Sequence, residues 1–128
     1  MKAGFIGSCI GIDSTQCAEL KRLLVSYGIT ELHHGMCVGA DEQANLITRL
    51  LGIRTIGHLP LAKFKYAPCV VDEVRPPKGY IERNHNIVNE TIFLFVGPSC
   101  SEQMRSGTWA TKCYADKMGK PFHVLERG

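Results

Sequence analysis

No apolar run in this sequence is long enough to cross a bilayer, so a helical membrane protein is excluded. No Gly-x-Gly-x-x-Gly follows a strand, and no Gly-Lys-Ser or Gly-Lys-Thr occurs. The conventional NAD-dehydrogenase and P-loop ATPase readings fall with those absences. The six cysteines form no Cys-x-x-Cys pair and no zinc-like spacing with the five histidines, so neither a structural metal nor a disulfide is expected. Dense Lys/Arg runs are missing too. The formal charge of +3 leaves room for a local basic pocket but does not indicate a nucleic-acid coat. Met1-Lys2-Ala3-Gly4-Phe5-Ile6 enters a strand with no basic segment and apolar stretch ahead of it, which predicts a protein that stays in the cytoplasm. Repeats, linkers and low-complexity tracts are absent, so residues 1–128 are expected to form one domain.

What is present is an alternation of strand and helix patterns. Strands are predicted at Ala3 to Ile6, Glu31 to His34, Arg54 to His58, Ile92 to Val96 and Phe122 to Leu125. Helices are predicted at about Ser14 to Tyr27, Ala40 to Leu51, Tyr80 to Asn89, and from Ser106-Gly107-Thr108 to Gly119. Cys17, Leu20, Leu24 and Tyr27 share one helix face, and Gly28 is placed to end that helix. Ile92-Phe93-Leu94-Phe95-Val96 is the most continuous apolar run, as suits a central parallel strand covered on both faces. Leu59 to Gly79 carries Pro60, Pro68, Pro76 and Pro77, with only Cys69 to Val74 reading as a short edge strand. The expectation is an α/β domain, Rossmann-like in three layers: a parallel five-stranded sheet, order 3-2-1-4-5, with helices on both faces. That order creates a topological switch point between the first and fourth strands.

Three loops converge there, Gly7 to Asp13, Gly35 to Asp41 and Gly97 to Thr108, each leading into a helix N-terminus that favours an anion. Arg83, early in the third helix with Asn84 beside it, has the fork geometry for phosphate or carboxylate. Lys63, Lys65, Arg75 and Lys78 lie in or beside the long loop, where a phosphate-neutralising lid is one reading and a merely soluble loop the other. Trp109 either stacks on a base or packs on the neighbouring strand. Of His33 and His34, one is expected to face the site and one the core.

His34-Gly35-Met36-Cys37-Val38-Gly39-Ala40-Asp41, Tyr80-Ile81-Glu82-Arg83-Asn84-His85-Asn86-Ile87-Val88 and Arg105-Ser106-Gly107-Thr108-Trp109-Ala110-Thr111 resemble the SLOG superfamily. The likeness is to its small DprA-like or YspA-like branch and spans almost the whole chain. It implies a Rossmann-like domain binding a nucleotide or nucleotide-derived small molecule, in some relatives a signalling nucleotide. It further implies ligand-facing residues at Gly7 and Ser8, at Gly35, Gly39, Ala40 and Asp41, at Arg83 and Asn84, and at Ser106, Gly107 and Thr108. Lonely Guy relatives hydrolyse the N-glycosidic bond of nucleoside monophosphates, and DprA binds single-stranded DNA.

Two departures bear on function. Cys9 stands where the branch commonly has an arginine, and Thr111 stands where Lonely Guy enzymes carry a catalytic glutamate. A hydroxyl does not serve as a carboxylate base near neutral pH. A sensor or sequestering protein is therefore the first reading, without catalytic residues, cofactor or metal. A phosphoribohydrolase recruiting Glu82, Glu90 or Asp41 is the alternative. Single-stranded nucleic-acid binding ranks third, since the chain has one tryptophan and no run of stacking aromatics. Cys113 and Tyr114 lie three and four residues after Ala110, and Met118 four after Tyr114, which predicts a homodimer or a tetramer of dimers.

Overall fold

Glycine turns cut the chain into short strands and helices in near-regular alternation. The computed structural model describes residues 1–99 and 107–128. In chain order these give β1 (Lys2–Gly7), α1 (Ser14–Ser26), β2 (Glu31–His34), α2 (Ala40–Leu50) and β3 (Arg54–Pro60). β4 (Glu73–Lys78), α3 (Tyr80–Asn89), β5 (Phe93–Gly97), α4 (Gly107–Lys117) and β6 (Phe122–Val124) follow. The six described strands form one sheet with parallel pairing throughout, in the order β4-β3-β2-β1-β5-β6.

The five expected strands take their expected order, and the correction is a sixth. The long proline-rich segment contributes β4 at the β3 edge, later in the chain than the Cys69 to Val74 stretch that the pattern suggested. Pro76 and Pro77 argue against a central strand, but an edge strand pairs on one side only and tolerates them. Asp72 starts the pairing: Thr55 donates its backbone N–H to Asp72 Oδ2 at 2.8 Å, and Asp72 returns its own N–H to the Thr55 carbonyl at 3.0 Å.

Side chains alternate across β1 and β5 with the period of two that extended chain imposes. Ala3, Phe5 and Phe95 face α1 and α2, where Leu20, Leu23, Leu24 and Ala44 close over them. Ile6, Leu94 and Val96 face the other way, under Ile87 and Val88 of α3 and Ala115 of α4. α1 and α2 thus cover one face of the sheet and α3 and α4 the other.

Gln16 ties the layers together at the end of the sheet that carries the site. It is fully buried, and its Nε2 donates to the carbonyls of Pro98 and Leu125, both at 2.9 Å. Its Oε1 accepts from the Asp13 N–H, and Asp13 Oδ1 accepts from the Gln16 N–H, each at 2.9 Å. This is a capping box. Gln16→Ala strands two buried carbonyls and a helix-terminal N–H, so it should cost about 2–4 kcal/mol. Urea unfolding measures this, and a loss of under about 0.5 kcal/mol would refute the role.

The histidines of β2 and β3 are also buried. His33 Nδ1 lies 2.9 Å from His58 Nε2, and His33 Nε2 lies 2.8 Å from Glu31 Oε2. The chain of contacts runs on through Arg54, Glu73, Arg75 and Glu90 and returns to His58, strapping the β4 edge to the end of α3. His34, on the opposite face, accepts from the Met36 N–H at Nδ1, so Nε2 carries the hydrogen toward Asn45 Oδ1 at 2.9 Å. Burial pushes His34 down to about 4, and burial, with His33 and Arg75 close by, pushes His58 to about 3. The unfolded chain therefore takes up these protons first. Their contribution is complete above the ordinary value of 6.5 and is lost as pH falls toward 4. Asp41, raised by burial to about 6, works in the opposite direction, but one carboxyl faces two histidines. The melting temperature should drop between pH 7 and pH 4.5, and His34→Gln should flatten that slope. An unchanged slope in the variant would refute the assignment.

Candidate functional site

β1 and β5 are neighbours, yet the chain leaves β1 for α1 on one face and β5 for α4 on the other. The loops part there and leave a crevice at the carboxyl ends of the strands. The crevice holds a cavity of about 270 Å³. Gly7, Ser8 and Cys9 line it from the end of β1 and the loop after it, Cys37 from the β2–α2 turn, Asp41 from the start of α2, and Pro98 and Ser99 from the loop after β5. Gly107, Thr108 and Trp109 of α4 and Tyr80 and Arg83 of α3 complete the walls, with Lys65 from the β3–β4 loop.

Arg83 is 2% exposed. Its Nη1 donates to the Gly35 carbonyl at 3.1 Å and to Cys37 Sγ at 3.2 Å. Nε and Nη2 donate to Asn84 Oδ1 at 3.2 and 2.9 Å. The Tyr80 ring centre lies 5.0 Å from the guanidinium carbon. Among the described residues, no carboxylate forms an ion pair with it. Neutral acceptors thus hold a buried cation against a cavity.

Asp41 is the other buried charge. Its Oδ2 accepts from the Gly35 and Cys37 N–H groups at 3.1 and 3.2 Å, while Oδ1 has no partner among the described residues. Burial raises its pKa to about 6, with the Arg83 charge pulling the other way. Both side chains press on Gly35, where a Cβ would lie 2.9 Å from Arg83 Cζ and 3.1 Å from Asp41 Oδ2.

Of the residues the sequence pointed to, Gly7, Ser8, Asp41, Arg83, Gly107 and Thr108 line the cavity. Gly35, Gly39, Ala40 and Asn84 stand behind it. Asn84 and Gly35 brace Arg83. Gly39, at φ +86, brings α2 so close to the β1 loop that a Cβ would run into the Cys9 carbonyl. Ala40 donates its N–H to the Ser8 carbonyl at 3.0 Å. Ser106 lies outside the described residues. Cys9 and Cys37 are free thiols in the wall.

The helix N-termini behave differently from expectation. Asp13 caps α1, and at α2 Glu42 Oε1 accepts from the Gly39 N–H at 3.1 Å while Ser8 takes that of Ala40. The protein's own oxygens thus occupy donors that the sequence reading offered to a ligand. The Asp13-to-Gln16 and Gly39-to-Glu42 spacings were the signal for this. Of those three helix starts, α4 brings Gly107, Thr108 and Trp109 into the cavity wall and α2 brings Asp41.

Neither His33 nor His34 lines the cavity, contrary to the expectation that one would; both are locked into the sheet. His33, His58 and Glu90 bring potential metal-ligand atoms within 4.8 Å of one another. The two ring nitrogens already face each other, however, and Arg75 holds Glu90 at 2.9 Å. Of the lid cations, Lys65 reaches the site, whereas Arg75 is bound to Glu73 and Glu90. Lys65 is held in place by its carbonyl, which accepts the Val38 N–H at 2.8 Å. Trp109 is both 8% exposed and part of the wall, so packing and ligand contact are compatible. Thr111 donates its hydroxyl to the Gly107 carbonyl at 2.8 Å. Tyr80 was missed, though its place one helical turn before Arg83 puts the two on one face.

No family model and no curated protein matches the sequence. Solved structures do match the fold. A molybdenum cofactor binding protein from the phototrophic bacterium Rippkaea orientalis superposes with a TM-score of 0.73 at 22% identity, over 96% of this chain and 74% of that one. The molybdenum cofactor (Moco) carrier protein from Chlamydomonas reinhardtii gives 0.71 at 24% identity, over 99% and 76%. DNA processing protein A (DprA) from Streptococcus pneumoniae gives 0.72 at 17% identity, over 96% of this chain and 49% of its own. The fold is thus the parallel α/β fold of these proteins, and the DprA-like resemblance read from the motifs leads to the same neighbours.

Proposed function

We propose that this protein binds a nucleotide or nucleotide-derived small molecule at the carboxyl edge of its sheet, as a sensor or sequestering protein. The observation that carries the reading is Arg83, a buried guanidinium in a cavity wall with no carboxylate paired to it among the described residues. Such a group favours an oxyanion, as a phosphate is. Lys65 and the first residues of α4 add positive potential on the same side. Asp41 Oδ1, buried and without a partner among the described residues, suits a hydroxyl or amine donor on the same ligand.

Thermal shift against nucleoside mono- and diphosphates, cyclic nucleotides, ADP-ribose and molybdenum cofactor tests the reading. A ligand at a hundred times its dissociation constant stabilises by about 2.7 kcal/mol. Arg83→Ala should abolish that shift, and Arg83→Lys should recover only part of it, because the fork is lost. No shift across the panel would overturn the proposal.

One observation keeps an enzymatic reading in second place. Of the carboxylates open to recruitment, Glu82 is exposed and Glu90 is bound to Arg75, but Asp41 lines the cavity with a pKa of about 6. A phosphoribohydrolase would use it as the acid or base. Free base released from AMP, and lost in Asp41→Asn, would move this reading to first place. Single-stranded DNA, which DprA from Helicobacter pylori binds, ranks third. Affinity falling steeply with salt would mark it.

Self-association completes the proposal. α4 turns Trp109 and Ala115 inward and leaves Ala110, Cys113 and Met118 outside, while α2 exposes the larger Leu46 and Leu50. Light scattering should give at least twice the 14.2 kDa chain mass. A monomer at tens of micromolar would refute the dimer and leave the ligand reading standing.

A further inference from the structure

A second cavity, of about 370 Å³, opens between the β3–β4 loop and the start of α3. Its outer wall is Pro60, Leu61, Ala62 and Phe64, and it shares Tyr80, Arg83 and Lys65 with the first cavity. The two spaces therefore meet across the guanidinium. Their chemistry differs. The first gathers the buried charges and the glycine turns, and the second gathers the apolar side chains.

Phe64 is 82% exposed and Leu61 63%. An aromatic ring left in water at a cavity mouth is unfavourable unless something covers it. Neither residue sits on a loose strand end. Leu61 donates its N–H to the Lys78 carbonyl at 3.0 Å, and Tyr66 donates to the Lys63 carbonyl at 3.1 Å. Cys37 pairs with Tyr66 across an antiparallel bridge. The backbone on both sides of Phe64 is thus fixed, and the Lys65 ammonium lies 5.5 Å from the ring centre. At α4, Gly107 lacks the Cβ that would strike the Tyr80 hydroxyl, which lets Tyr80 stand between the two cavities.

We propose that this second cavity holds the planar aromatic ring of the ligand, stacked on Phe64, while the ligand's phosphate rests on Arg83 in the first. The inference builds on the phosphate reading and narrows the ligand to a molecule with an anionic end and a flat heterocyclic end. Stacking on Phe64 is tolerant of ring identity, because every base has a π-face. Selectivity among bases is therefore weak, and discrimination against ligands lacking a ring is strong.

The test compares AMP, GMP, CMP and UMP with ribose 5-phosphate, using quenching of Trp109, the chain's single tryptophan, which lines the first cavity. Wild-type protein should bind the four monophosphates at least tenfold more tightly than ribose 5-phosphate. Phe64→Ala should weaken them about tenfold and leave ribose 5-phosphate unchanged, and Phe64→Trp should restore them. Because Phe64 is exposed, both variants should fold, which circular dichroism verifies. Equal binding of all probes by the wild type overturns the ring subsite alone. So does a Phe64→Ala protein that is unchanged for every probe, weakened equally for every probe, or altered only in oligomeric mass. Wild-type protein that binds none of the probes overturns the ring subsite, and the phosphate reading falls with it only if the wider nucleotide panel also gives no shift.

Discussion

Arg83 is a full charge almost wholly buried in a cavity wall, and among the described residues no carboxylate pairs with it to offset the cost. Burying an ion costs several kcal/mol even after relaxation, so the surrounding structure must offset it with dipoles. The Gly35 carbonyl, the Asn84 amide oxygen and the Cys37 thiol do this through hydrogen bonds, and the Tyr80 ring does it through its face. Each is supplied by a different local device. The turn after β2 must be glycine so that its carbonyl can approach. Asn84 must follow Arg83 directly on the buried side of α3, and Tyr80 must precede it by one turn.

Asp41 enters the same arrangement with the opposite sign. It does not pair with Arg83 within ion-pair distance, yet each charge moderates the other through a low-dielectric gap. A direct bidentate pair would have consumed the guanidinium. Here the backbone N–H groups of Gly35 and Cys37 hold Asp41 Oδ2 aside, and Oδ1 is left without a partner among the described residues. The proposed ligand would answer the two charges with an anionic end for Arg83 and a donor for Asp41.

The sheet was largely legible because its central strands are buried on both faces and read as apolar runs. Phe93 to Val96 and Ala3 to Ile6 leave little room for another element. β4 was not legible, since Glu73, Arg75, Pro76, Pro77 and Lys78 are edge residues chosen for charge pairing and solubility rather than for a core. In the site, Arg83 and the glycine turns carried a recognisable pattern. The fate of the helix N-termini was a matter of which oxygen arrives first, and there Asp13 and Glu42 outcompete any ligand because they are attached to the chain. Phe64 gave no signal at all. A lone aromatic in a proline-rich stretch acquires meaning only once the loop is seen folded back against α3.

The same loop bears on how much binding costs. Ordering a mobile segment around a ligand consumes affinity, at about 0.5–1.5 kcal/mol for each rotamer-rich side chain immobilised. The described walls are already tied. Ala40 binds Ser8, Gln43 clamps Ile12 from both sides of its amide, and Val38 and Ala67 link the β2 turn to the β3–β4 loop. Gln16 fixes Pro98 from below. A pocket whose described walls are braced in this way is consistent with the proposed binding role. Its charges are held at fixed positions by the chain itself, so little of the binding energy of the proposed ligand would go into ordering those walls.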